Sequence, residues 1–119
     1  MKLMSLPGRK VKPSHVTSDE VLSLLRSVAS GQSVPRMKNL YQYWTDEMVE
    51  VLVDGWKLVL FTDNTRSRHL DSVTSSDGRR GGFDDWRSEG QFSQQPEDRL
   101  YREDNNAVER MFAAFRRAH

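Results

Sequence analysis

Two apolar runs, Val49–Val53 and Trp56–Phe61, meet across the dipeptide Asp54-Gly55. This is the strongest local signal for a β-hairpin closed by a type I′ turn, because both central residues of that turn need positive φ. A two-residue turn fixes the register. It pairs Val53 with Trp56, Val51 with Leu58 and Val49 with Leu60 on one face, all of them apolar. The opposite face collects Met48, Glu50, Leu52, Lys57, Val59 and Phe61, a mixture of charge and apolar surface. One face must therefore be covered while the other is amphipathic, which places the hairpin at the centre of an α+β domain.

A chain of 119 residues has room for one such domain. Thr17-Ser18-Asp19-Glu20 has the form of a capping box, Val21, Leu22, Leu24, Leu25 and Val28 follow on a helical stripe, and Gly31 stands where a helix ends. A helix over about 18–30 is predicted. His69–Val73 reads as a third strand, which a hairpin needs for stability in water. Residues 74–82 and 90–97 read as loops. Phe83 and Trp86, three apart, suit one helical turn that anchors the first loop on the core. Val108, Met111, Phe112 and Phe115 have the spacing of a buried stripe on a last helix starting near Arg102. The predicted architecture is thus a helix, an antiparallel three-stranded meander, an irregular Gly-rich segment and a C-terminal helix, with the helices on the Val49 face. Residues 1–16 form a flexible basic arm and 17–119 the single domain.

Composition excludes several classes of function. There is no cysteine, hence no disulfide, no thiolate zinc site and no thiol nucleophile, in keeping with a cytoplasmic location. No apolar run approaches the ~18 residues that cross a bilayer, and Pro7-Gly8-Arg9-Lys10 interrupts the start before a signal sequence forms.

Asp63, His69, Asp71, Asp77, Asp84 and Asp85 are the candidates for a metal or hydrolytic site, but none has ligand spacing. Turn and helix-start roles explain Asp77-Gly78 and Asp84-Asp85 better. The serines lack a nucleophile elbow. Gly78-Arg79-Arg80-Gly81-Gly82 could approach phosphate, but two aspartates follow, and pairing of its arginines with Asp84 and Asp85 is the simpler reading. No catalytic residue, cofactor or metal is expected.

Two binding classes remain. The first third of the chain is basic and the remainder acidic, so Arg9, Lys10 and Lys12 with Arg36 and Lys38 could hold nucleic acid, helped by stacking on Tyr41 or Tyr43. With a net charge of only +1, this is the alternative rather than the main reading. Protein recognition is favoured by eleven aromatic residues, more than one sheet face and two helices absorb. The candidate contact residues are Tyr41, Tyr43, Trp44 and Phe92 in irregular segments, Phe61 on the amphipathic sheet face, and Leu3, Met4 and Leu6 on the arm. The free sheet face also offers a route to a homodimer.

The run Asp54–Asp63, then Asp77-Gly78-Arg79 with Phe83-Asp84-Asp85-Trp86, then Val108-Glu109-Arg110-Met111 resembles a family of small uncharacterised bacterial α+β proteins. The size, the lack of cysteine and the layout also resemble quorum-sensing antiactivators of the QslA type. That resemblance implies a non-enzymatic regulator that binds a LuxR-type transcription factor and blocks its dimerisation. It transfers no binding residues, because its motifs are structural.

Overall fold

A computed structural model describes residues 15–37, 48–62, 68–87, 89 and 94–118. Helix α1 spans Ser18–Ser30. Strands β1 (Arg36–Met37), β2 (Met48–Val53), β3 (Trp56–Thr62), β4 (Arg68–Thr74) and β5 (Arg80–Gly82) follow, then α2 (Phe83–Arg87), α3 (Pro96–Glu103) and α4 (Asn105–Arg117). The strands form one antiparallel sheet in sequence order.

The hairpin has the register its turn dictates, with Val53 opposite Trp56, Val51 opposite Leu58 and Val49 opposite Leu60. Asp54 and Gly55 both have positive φ, at 50° and 82°. In α1 the Thr17 hydroxyl accepts from the Glu20 amide, the Glu20 carboxylate accepts from the Thr17 amide, and Gly31 closes the helix at φ 85°. α1 packs on α3 and α4, and all three help cover the face carrying Val49, Val51, Val53, Leu58, Leu60, Leu70 and Val73. These strand residues are fully buried with Leu25, Leu100, Met111 and Phe115.

The sheet is larger than a three-stranded meander. β1 adds to the outside of β2, and β5 emerges inside the predicted 74–82 loop. Arg80-Gly81-Gly82 carries no strand-forming side chain, and packing holds it in place. A Cβ on Gly81 would lie 2.4 Å from the Val16 carbonyl oxygen and 3.1 Å from Trp86 Nε1. Gly81→Ala is therefore expected to cost about 2 kcal/mol through overpacking, read from the denaturant midpoint. A wild-type midpoint would show that the N-terminal segment is not seated there.

Three further expectations are corrected. The 90–97 loop ends earlier, because Pro96 opens α3. The last helix starts at Asn105 rather than near Arg102. Extended Asp104 (φ −164°) separates α3 from α4 and caps α4 by accepting from the Asn106 amide. Arg79 pairs with Glu20 and Asp77, while Asp84 pairs with Arg87. At the other end of the domain, Val16, assigned to the arm, is fully buried, and His15 bridges to Arg80.

Leu3, Met4, Leu6, Arg9, Lys10, Lys12, Lys38, Tyr41, Tyr43, Trp44, Asp63 and Phe92 lie outside the described residues.

Candidate protein-interaction face

The helices leave the second sheet face uncovered among the described residues. Strand alternation and register arrange that face in three rows running across the strands. The first is Arg36, Leu52, Lys57, Thr74 and Arg80, one residue from each strand. The second is Glu50, Val59, Ser72 and Gly82. The third is Met48, Phe61 and His69. A β-bulge between the second and third rows takes Asp71 out of the alternation, so that Val59 faces Ser72 while Leu60 faces Leu70.

The third row is an aromatic strip. The Phe61 and His69 ring centroids are 5.1 Å apart, and Phe83 meets His69 edge-on at 6.0 Å. Met48, Leu52 and Phe83 are exposed, Phe83 to 42%. Phe83 therefore does not share the burial of Trp86. The five-residue α2 turns Trp86 into the core, where its indole N–H donates to the Val16 carbonyl at 2.9 Å, and leaves Phe83 on the rim of the open face. Of the predicted contact residues, Phe61 lies on this face, half-buried. His69 and Phe83 were missed as members of it. Alternation with Leu70 could have placed His69, but no pattern in the sequence places Phe83.

Behind the strip, β5 ends opposite Ser72. The Leu70 amide therefore lacks a strand partner there and donates at 2.6 Å to Glu97 Oε2 on α3. Burial pushes this carboxyl up to about 7, against the lowering effect of the Leu70 hydrogen bond.

A second polar cluster surrounds the start of α1. Arg79 grips both Glu20 oxygens, at 3.0 and 2.6 Å, and holds that carboxyl down at about 2. The Ser18 amide and His15 Nε2 both approach the Glu89 carboxylate, and Arg99 reaches Asp19 at 2.6 Å. The Ser18 hydroxyl donates to the Gln94 carbonyl and receives Arg99 Nη1. These groups join the N-terminal segment and the start of α1 to the β4–β5 turn, to Glu89 and Gln94 between α2 and α3, and to α3 itself. The cluster has the character of a clamp.

A hollow of about 210 Å³ lies between the ends of α1 and α4, lined by Val28, Val34, Pro35, Ala114 and Arg117 among others. Its size is below the ~300 Å³ of ordinary ligand pockets. Among the described residues, no three His, Asp or Glu side chains converge as a metal set, and no helix is long and apolar enough to cross a membrane.

Fold and surface together define a small α+β domain whose helices α1, α3 and α4 lie on one side of its sheet and leave the other side open among the described residues. Residues 15–114 match a family described as a domain of unknown function (DUF7693), and the chain belongs to that family. No curated protein and no solved structure matches the chain.

Proposed function

We propose that this protein is a non-enzymatic regulator that binds a partner protein through the bare sheet face. Met48, Phe61, His69 and Phe83 are the anchors, with Tyr41, Tyr43, Trp44, Phe92 and the Leu3/Met4/Leu6 arm as further contacts. One observation carries this reading: residues of α1, α3 and α4 share one core cluster with a single face of the sheet, and Phe61, His69 and Phe83 form an aromatic strip on the opposite face. Aromatic side chains with an open face supply large contact area at low entropic cost and dominate interface energetics. The partner class is a dimeric activator, specifically a LuxR-type transcription factor whose dimerisation surface is occluded. Such inhibition requires only that the heteromeric contact outcompete the homomeric one, and no reaction is involved.

The test is capture of the partner by tagged wild-type chain and by Phe61→Ala and Phe83→Ala variants, with and without nuclease. Each truncation is expected to weaken binding about 10-fold or more, equivalent to ~1.4 kcal/mol, with a smaller loss of unfolding free energy. Equal capture by both variants would remove the anchors. Loss of all capture after nuclease would favour nucleic-acid binding instead.

A further inference from the structure

We propose that the bare face is complementary to itself, and that two copies of this chain pair through it about a two-fold axis. The inference uses the face described above but not the identity of its protein partner. Its basis is the opposite character of the two outer rows. The first row carries three cations, Arg36, Lys57 and Arg80, on alternate strands. The third carries Met48, Phe61 and His69, continues to Phe83, and is followed in the chain by exposed Asp84 and Asp85. Lys57 and Phe61 are four residues apart on β3, so the rows lie about 13 Å apart at ~3.3 Å per residue.

A two-fold axis lying in the plane of the face, along the Glu50–Val59–Ser72 row, turns one copy over and exchanges the outer rows. Each strand then lies over its own counterpart, as in aligned sheet packing. Lys57 of one copy sits over Phe61 of the second, a cation–π pairing. Arg80 sits at the end of the second copy's strip, by Phe83 and Asp84. Val59 meets its own counterpart at the axis. Glu50 also meets its counterpart, but each is already bridged to its own Lys57 at 3.6 Å, so the centre holds alternating charges. Every attractive contact occurs twice, as an isologous interface requires. A nucleic acid would find the same cations, but Glu50, Asp84 and Asp85 oppose its phosphates.

The five strands span only about 19 Å. The contact therefore belongs with interfaces below ~1,200 Å² in total, and dissociates on dilution. That suits a regulator whose face must open for another protein.

Sedimentation velocity on the full chain at low salt, over a wide micromolar range, tests the pairing. Wild type is expected to show a monomer–dimer equilibrium. Arg80→Glu and Asp84→Arg, both at exposed positions, should each raise the dissociation constant about 10-fold or more. An equimolar mixture of R80E and D84R chains should recover the wild-type constant, because each altered site then faces an opposite charge. A monomer throughout overturns the pairing and leaves the partner reading to its own capture test. A dimer indifferent to both reversals, or unrestored by mixing, places the contact elsewhere and equally overturns it. Self-association that appears only with added single-stranded oligonucleotide does the same.

Discussion

Trp86→Ala is expected to lower the unfolding free energy by about 4 kcal/mol, within the ~3–5 kcal/mol range of large aromatic truncations in cores. Trp86 is fully buried and heads the largest buried side chains. Its indole lies close to Gly81 and donates to the Val16 carbonyl, so it joins the N-terminal segment, β5 and α2 at one point. Truncation leaves a cavity and also strips a buried carbonyl of its donor. Against a typical total of ~5–15 kcal/mol, this is a large fraction of the stability. Trp86→Phe keeps a benzene ring in the core but loses the N–H and leaves a smaller void, so an intermediate loss of about 2 kcal/mol is expected. Urea titrations followed by circular dichroism give both values. A loss below ~1 kcal/mol in the alanine variant would mean that the three segments hold together without the indole.

Glu97→Gln is expected to stabilise the protein, by an amount that grows as pH rises from about 4.5 and levels off above about 7. The native carboxyl titrates at about 7, whereas the unfolded group titrates near 4.5. Between those values the folded state binds the extra proton, so this group's contribution falls as pH rises through the window and levels off above it. At ~1.36 kcal/mol per unit, the deficit above pH 7 approaches about 3 kcal/mol. The glutamine keeps an oxygen for the Leu70 amide and removes the charge. Its advantage over wild type should thus be largest at pH 8 and vanish near pH 4. Glu20 works in the opposite direction, since Arg79 lowers its titration to about 2. Its contribution is complete above the unfolded value and is lost as pH falls through about 2. A constant difference between Glu97→Gln and wild type from pH 4 to 8 would contradict a buried, ionising Glu97.

How much could be read beforehand depended on whether local chemistry or packing made the decision. The Asp54-Gly55 turn and the Thr17/Glu20 box act through their own backbone, so the hairpin register and α1 were legible to the residue. α3 was not. Only Pro96 and Leu100 are apolar on its buried side, and the third buried residue is the charged Glu97. β5 was hidden for a related reason: two glycines and an arginine become a strand only because Val16 and Trp86 close over them. For the candidate face, the hairpin half was readable by alternation. The β4 half depended on a bulge at Asp71, and Phe83 on where a single helical turn happens to point.

The ends of the sheet bear on how this protein can meet anything else. Along β5 the Val16 amide bonds the Arg80 carbonyl, and along β1 the Met37 amide bonds the carbonyl of Ala118. A visiting strand that tried to zip onto either margin would find hydrogen-bonding groups already taken by the chain's own backbone. Growth into ribbons or fibres by lateral addition is thereby discouraged, and encounters are directed broadside.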